Sequence, residues 1–239
     1  MENDNIYLQE TEILNFSHDK IKKLIEVRKW KGLLEKEKIN QIYLYVRDEI
    51  KFAYNTADNI SASKVLNDGY GQCNTKGNLF MALLRAVEIP CRIHGFTIDK
   101  ALQKGAISGV WYKLSPNNII HSWVEVKYKN KWYNLEGFIL DKLYLNNLQS
   151  KFSDCKTTFC GYGVYTDNFL NPIIDWNEND TYIQNLGINN DFGVFNSPDE
   201  FYKKHKQALS PLKVFAYKNL VRHRMNKNVN KIRDIAKNR

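Results

Sequence analysis

Residues 68–90 read DGYGQCNTKGNLFMALLRAVEIP, and this stretch decides the fold. From Leu79 to Val87 the apolar residues recur at steps of three and four, which predicts an amphipathic helix. The helix should begin at or near Cys73 and end before Pro90, because a residue that precedes proline disfavours helical geometry. Its apolar stripe is broad, so we expect it to lie at the centre of the core.

Elements on either side of this helix indicate the fold class. Upstream, apolar stripes predict a helix capped by Ser17, a second one through 39–50 and a short third one over 61–66. Downstream, three segments with the composition of strands follow at 91–98, 119–128 and 131–136. Helices followed by an antiparallel sheet are the α+β pattern.

Length and composition indicate a packed protein. The chain has 239 residues, of which 43% are hydrophobic and 26% charged, which excludes collagenous, disordered and multi-span membrane classes. We predict a single domain over residues 1–239, with the core and its N-terminal helices in 1–150. Glycine, asparagine and proline interrupt the apolar stretches of 151–239, so this part is expected to be an extension wrapped on the core.

The cellular location and the partners are predicted from sequence features that would mark secretion, a membrane span or calcium binding. The first ten residues are polar and acidic, and no apolar run approaches the roughly 20 residues of a membrane span. The sequence therefore predicts a cytoplasmic protein, without a membrane partner, whose cysteines stay reduced. No calcium-loop pattern occurs, and we predict neither a metal nor a cofactor.

Positive charge is concentrated in the tail. Residues 203–239 contain 12 Lys and Arg against one acid, a balance of +11, whereas the remainder has 23 against 25, a balance of −2. The spacing of apolar residues favours a terminal amphipathic helix docked on the body with a solvated basic face. The alternative is a site for an anionic partner, but no nucleic-acid-binding signature is present, so we do not expect nucleic acid to bind.

Cys73 would occupy the first turn of the central helix. Free backbone N–H groups and the positive end of the helix dipole stabilise a thiolate there. The N–H of Cys73 could also bind an oxyanion that forms on an attacked carbonyl, and the glycines at 69 and 71 would let a substrate approach closely. The alternative is a small buried hydrophobe, which is what most intracellular cysteines are.

Strand geometry brings His121 and Glu136 together. A two-residue connection between the last two strands fixes their register and pairs Trp123 with Glu136. His121 is then a diagonal neighbour on the same face, with about 7–8 Å between Cα atoms. A carboxylate at that position can hold one nitrogen of the imidazole and leave the other facing the thiol, as nucleophilic catalysis requires. A shift of one residue in register would move Glu136 to the opposite face.

The remaining cysteines and histidines compete for these roles. Cys91, Cys155 and Cys160 lack the helix-start context and a convincing second ligand pair for zinc, so we expect them to be structural. Among the histidines at 18, 94, 205 and 223, His94 is the strongest competitor because it also lies in a predicted strand.

Three separated motifs in this order resemble the core of the transglutaminase-like superfamily, which has a papain-like fold. They are YGQC at 70–73, HSWVE at 121–125 and WYNLE at 132–136, within a matching stretch of about 42–141. The resemblance implies an α+β fold in which a nucleophile-bearing helix packs on a mostly antiparallel sheet. It also implies a catalytic triad in which Cys73 is the nucleophile, His121 is its base and Glu136 orients the histidine.

Two positions depart from the family pattern. The family usually has aspartate where Glu136 stands, so either the longer acid serves or Asp141 takes over, and we prefer Glu136 because it falls at the matching position. The tryptophan that assists the oxyanion in animal members is not evident, and Tyr54 lies in the corresponding stretch. We expect Tyr54, Gln72 and Trp123 to bind the oxyanion or the substrate.

The implied reaction is attack by the Cys73 thiolate on an amide carbonyl of a protein or peptide, followed by resolution of a thioester by an amine or by water. Crosslinking enzymes, peptidases and amidases all share this chemistry, and the triad does not choose among them. The alternative is a catalytically inactive binding module that keeps the transglutaminase fold.

Overall fold

The computed structural model describes residues 4–235, in which helices pack around an antiparallel sheet. The α-helices are α1 (Asp19–Arg28), α2 (Glu35–Leu44), α3 (Ala62–Asp68), α4 (Cys73–Ala86), α5 (Gly109–Leu114), α6 (Lys142–Lys151), α7 (Pro198–Lys204), α8 (Pro211–Ala216) and α9 (Arg222–Arg233). The strands are β1 (Lys51–Phe52), β2 (Tyr70–Gly71), β3 (Cys91–Asp99), β4 (Asn118–Tyr128), β5 (Lys131–Leu135), β6 (Phe159–Gly161), β7 (Val164–Thr166) and β8 (Ile188–Phe195). Among these described residues, no helix is both long and apolar enough to cross a membrane.

The central sheet has the order β5-β4-β3-β8, and all three pairings are antiparallel. The hairpin between β4 and β5 turns at Lys129 and Asn130, whose φ angles of 49° and 61° are those of a type I′ turn. This turn pairs Tyr128 with Lys131, which is the register predicted from the sequence. The predicted α+β fold, with helices packed on a mostly antiparallel sheet, is confirmed.

Helix α4 begins at Cys73, as its sequence predicts. The apolar side chains from Leu79 to Leu84 are all 0% exposed, so α4 is the central buried helix. It lies against the sheet, since a Cβ added to Gly77 would be 3.6 Å from a methyl group of Val124.

Two glycines allow close packing near this helix. A Cβ on Gly71 would lie 2.6 Å from Thr75 Oγ1, so glycine lets β2 pass directly over the first turn of α4. The position of Gly71 before Cys73 predicts that it lets a substrate approach closely. In the structure Gly71 lets β2 pack on α4. A Cβ on Gly95 would lie 2.2 Å from the ring of Phe201, so α7 packs directly on β3.

The N-terminal boundary of α1 differs from its prediction. The N-cap is His18 rather than Ser17, and His18 Nδ1 accepts a hydrogen bond from Lys20 N at 3.2 Å. A histidine ring nitrogen can satisfy a free N–H at a helix start as a serine hydroxyl would, but sequence rules favour serine.

The C-terminal region contributes to the central architecture. Strand β8 pairs with β3, so residues 188–195 form an edge of the central sheet as well as wrapping the core. Helix α9 buries Met225, Val229 and Ile232 and exposes its lysines, as predicted for a docked amphipathic helix. Residues 236–239 of the predicted basic tail lie outside the described residues.

Lys76 on α4 is a buried amine, and its ionisation should make the free energy of unfolding depend on pH. Its side chain is 0% exposed, and Nζ donates to the Arg47 carbonyl at 3.0 Å. Burial lowers the pKa of Lys76 from 10.5 to about 7, so the folded state disfavours the charged amine that the unfolded chain carries. This cost is full below pH 7 and disappears as the pH rises through 10.5.

We therefore expect wild type to gain stability relative to Lys76→Met between pH 7 and pH 10, at about 1.4 kcal/mol per pH unit at most. Urea unfolding at several pH values checks this expectation, with the exposed Lys51→Met as control. Parallel curves for wild type and Lys76→Met would contradict it.

Candidate active site

The N-terminus of α4 is fixed to β4 on either side of His121. Asn74 follows Cys73, and its Nδ2 donates to the Ile120 carbonyl at 3.0 Å. Its Oδ1 accepts a hydrogen bond from Ser122 Oγ at 2.9 Å. One side chain thus joins the residue after the cysteine to both neighbours of the histidine, which restricts the distance between the two.

His121 is bound to Glu136 in a fully buried pair. Nε2 lies 2.8 Å from Glu136 Oε1, and both side chains are 0% exposed. Because a carboxylate only accepts hydrogen bonds, Nε2 carries the proton of this contact. The contact predicted from the hairpin register is therefore present.

The other ring nitrogen of His121 is available for Cys73. Nδ1 is buried and makes no aligned hydrogen bond within residues 4–235. Burial alone would lower the pKa of His121, but the charge of Cys73 and then the bond to Glu136 raise it to about 10. The imidazole is thus poised to hold a proton taken from the thiol.

Glu136 is positioned by backbone groups from another part of the chain. Its Oε2 accepts hydrogen bonds from the N–H groups of Ile183, Gln184 and Asn185 at 2.7, 2.8 and 3.1 Å. Its own N–H donates to the Thr181 carbonyl at 3.0 Å. The segment 181–185 therefore fixes the acid, and the acid fixes the imidazole.

Asp141, the alternative third member, is engaged elsewhere. Oδ1 accepts from Tyr144 N at 3.0 Å and so caps α6, and Oδ2 accepts from Phe52 N at 2.9 Å. Arg233 forms a buried ion pair with the same carboxylate. Of the two acids, Glu136 is the one hydrogen-bonded to His121.

A cavity of about 420 Å³ opens beside Cys73. Of the three predicted oxyanion or substrate residues, Tyr54 and Gln72 line it. Gln72 Oε1 accepts from Asn55 N at 2.8 Å, and its Nε2 donates to Asp58 Oδ1 at 3.1 Å. The side-chain amide of Gln72 is thus fixed at the residue that precedes the nucleophile.

Tyr54 is buried in the wall of the cavity that Cys73 also lines. Burial raises the pKa of Tyr54, and the charge of Cys73 adds to that rise, so the phenol stays protonated and can donate a hydrogen bond. Both backbone groups of Tyr54 bind the side chain of Asn226 on α9, with N to Oδ1 at 2.7 Å and Nδ2 to the carbonyl at 3.1 Å.

Trp123 lies apart from the cavity. Its ring packs on Phe96 at 4.2 Å and on Tyr182 at 5.5 Å between ring centroids. The predicted substrate role of Trp123 finds no support in this geometry, because the indole is enclosed by other aromatic rings.

The competing residues have other environments. All four cysteines are free thiols: Cys91 is buried, Cys155 half-buried and Cys160 exposed, while Cys73 is half-buried. His94 is bound between Glu125 and Asp191, each at 2.8 Å. Within residues 4–235 no three His, Cys, Asp or Glu side chains converge as metal ligands would.

Several residues of the site could not be predicted from the sequence. Asn74 directly follows the YGQC motif at 70–73. An amide side chain at a helix start beside the candidate cysteine is a signal that could have identified Asn74. Asp58, Gln184 and Asn226 carry no local signal, because long-range folding alone brings them to the site.

This arrangement is suited to nucleophilic chemistry. A thiol at a helix N-terminus, an imidazole and a buried carboxylate lie in the order that acyl transfer requires. The N–H of Cys73 has no partner inside its own helix, so it can donate to a developing oxyanion.

A helix-borne cysteine packed on an antiparallel sheet with a His–Glu pair defines the papain-like α+β class of cysteine enzymes. Residues 27–137 match the family model described as the transglutaminase-like superfamily. No curated protein matches.

One solved structure bears a distant likeness to the chain. It comes from Cytophaga hutchinsonii and is titled a "Putative Cysteine Protease", with 13% sequence identity and a TM-score of 0.46. The match covers 92% of this chain and 50% of the other, so the chain spans half the length of that protein.

Proposed function

We propose that the protein is a cysteine-dependent enzyme that transfers or hydrolyses an acyl group of an amide, with a protein or peptide as substrate. Cys73 is the nucleophile, His121 the base and Glu136 the residue that orients the histidine. The observation that carries the proposal is the buried pair of His121 and Glu136 at 2.8 Å, which Asn74 holds beside the helix start that bears Cys73. The match of residues 27–137 to the transglutaminase-like superfamily supports a cysteine enzyme in general.

The proposed reaction has two steps. The proton of the Cys73 thiol passes to His121 Nδ1, and the resulting thiolate forms the bond from Sγ to the carbonyl carbon. As the tetrahedral intermediate collapses, the C–N bond breaks and the same proton goes to the departing amine. Water or a second amine then attacks the thioester, loses its proton to His121 and releases the thiol.

Acylation by an activated ester tests the proposal. Incubation with 4-nitrophenyl butyrate should add one butyryl group to the peptide that contains Cys73, detected by mass spectrometry. Cys73→Ala should lose this adduct, and Cys160→Ala, which removes an exposed thiol, should retain it.

Adding methylamine then separates the two outcomes of the second step. Formation of N-methylbutyramide indicates transamidation, whereas butyrate alone indicates hydrolysis. If Cys73 is not acylated in a folded protein, the inactive binding module is the better reading.

A further inference from the structure

The cavity beside Cys73 is walled by the matched family core together with the C-terminal region. Among its walls are aliphatic and aromatic side chains, and several come from α8, α9 and the helical residues 217–221 that join them. The apolar residues on which the argument depends are Leu102, Ile107, Trp111, Leu114, Val221 and Met225. A volume of about 420 Å³ falls in the range of sites that enclose small ligands.

Three residues of this wall carry a buried polar atom without a hydrogen-bond partner among residues 4–235, namely Trp111 Nε1, Tyr202 Oη and Gln184 Oε1. Gln184 Oε1 is the acceptor without a donor. Gln184 lines the cavity and is only 2% exposed. Its Nε2 donates to the Gly163 carbonyl, which fixes the orientation of the amide. Its Oε1 is buried without a hydrogen-bond partner among residues 4–235. A buried acceptor left in this state is costly unless something that enters the cavity donates to it.

Gln184 is also coupled to the proposed triad. Its backbone N–H donates to Glu136 Oε2 at 2.8 Å, so the residue lies between the cavity and the acid that holds His121. Among the charged residues of the wall, Lys206, Lys213 and Lys218 are exposed and face solvent, and Asp58 accepts a hydrogen bond from Gln72 Nε2.

We propose that this cavity binds the acyl part of the substrate, and that this part is largely apolar and carries one N–H or O–H donor for Gln184 Oε1. An amide of an N-acylated amino acid with an aliphatic or aromatic side chain has this chemistry. The inference rests on the proposed function, since the bound acyl group is the one that Cys73 attacks. Gln184 is a specificity-determining residue in this scheme.

Alkylation of Cys73 by matched probes tests the proposal without requiring acyl transfer. The probes are iodoacetamide, N-hexyl iodoacetamide and N-(5-hydroxypentyl) iodoacetamide, each rate being divided by that of the same probe with glutathione. Because its hexyl group is buried in the cavity, N-hexyl iodoacetamide should react at least about tenfold faster than iodoacetamide. In Gln184→Met the ratio of hydroxypentyl to hexyl rates should fall about threefold to tenfold, the value of one hydrogen bond.

The ratio is a readout that a merely structural role of Gln184 would not move, because both probes report on the same protein. An unchanged ratio in Gln184→Met, or a hexyl probe no faster than iodoacetamide, overturns the proposal. If Cys73 reacts selectively with the probes yet is never acylated by the ester, the proposed function fails and the inferred cavity specificity stands.

A second pair of variants applies if Gln184→Met does not fold. Leu114 lines the cavity and is 53% exposed. Leu114→Asp therefore adds a charge beside the bound hexyl group without disturbing the core. It should reduce the preference for the hexyl probe by at least about threefold. Leu143→Asp is the matched control, because Leu143 is also 53% exposed but lies on α6. Equal preference in both variants contradicts the proposal.

Discussion

Replacing His121 by alanine is expected to slow the alkylation of Cys73 by iodoacetamide about 10- to 30-fold at pH 7. An ordinary thiol titrates at about 8.5, so only about 3% of it is thiolate at that pH. In the wild-type protein the protonated His121 ring would compensate the negative charge on the sulfur that attacks iodoacetamide, and the variant lacks this compensation.

The difference in alkylation rate between wild type and His121→Ala should depend on pH. Because the pKa of His121 is raised from 6.5 to about 10, the stabilisation from the protonated ring is full below 6.5 and is lost as the pH rises through about 10. The wild-type rate should therefore change little from pH 7 to pH 9, whereas the rate of His121→Ala should climb and approach it above pH 10. His223→Ala, which removes an exposed histidine, is the control. If the alkylation rates of wild type and His121→Ala have the same pH profile, His121 does not act as the base.

Arg233→Met is expected to destabilise the protein by about 3–5 kcal/mol, because it leaves a buried carboxylate without its partner. Arg233 donates to Asp141 and, at 2.6 Å, to the Phe52 carbonyl, and thereby fixes α9 to the core. Burial acts to raise the pKa of Asp141, but Arg233 lowers it, so the pair stabilises the fold above the unfolded value of 3.8. The contribution is lost as the pH falls further through the lowered pKa.

Urea unfolding of Arg233→Met and of the exposed Lys231→Met on the same helix measures the effect. The deficit of Arg233→Met should be largest near neutral pH and should shrink in acid, as Asp141 takes up a proton. A deficit below about 1 kcal/mol at pH 7 would contradict the prediction, since a solvated ion pair contributes no more than that. In a folded Asp141→Asn variant, Cys73 should keep the alkylation profile of the wild type, because Glu136 is the acid on His121.

Much of the site could be predicted because its determinants are local. The periodicity after Cys73 placed the start of α4, and the two-residue turn at 129–130 set the register that puts Glu136 on the face of His121. Both inferences use short-range rules, in which backbone geometry depends on a few neighbouring residues. The catalytic roles of these residues remain a proposal until they are tested by substitution.

The remainder depended on contacts between residues far apart in the chain. Nothing near Gln184 indicates that its N–H would hold Glu136, and Asn226 meets Tyr54 only because α9 packs back on the core. The assignment of β8 to the sheet was missed for a related reason: glycine and asparagine weaken its strand pattern, and pairing with β3 overrides that weak local preference.

The sequence alone thus determined the α+β class, the helix that carries the cysteine and the hairpin that carries the histidine and the acid. Each of these follows from the spacing of apolar residues and from turn chemistry within one short segment. Only the tertiary structure decided between Glu136 and Asp141 as the partner of His121 and showed that the C-terminal region forms part of the cavity wall. Those outcomes depend on how distant segments pack, and packing is set by the burial of side chains from the whole chain at once.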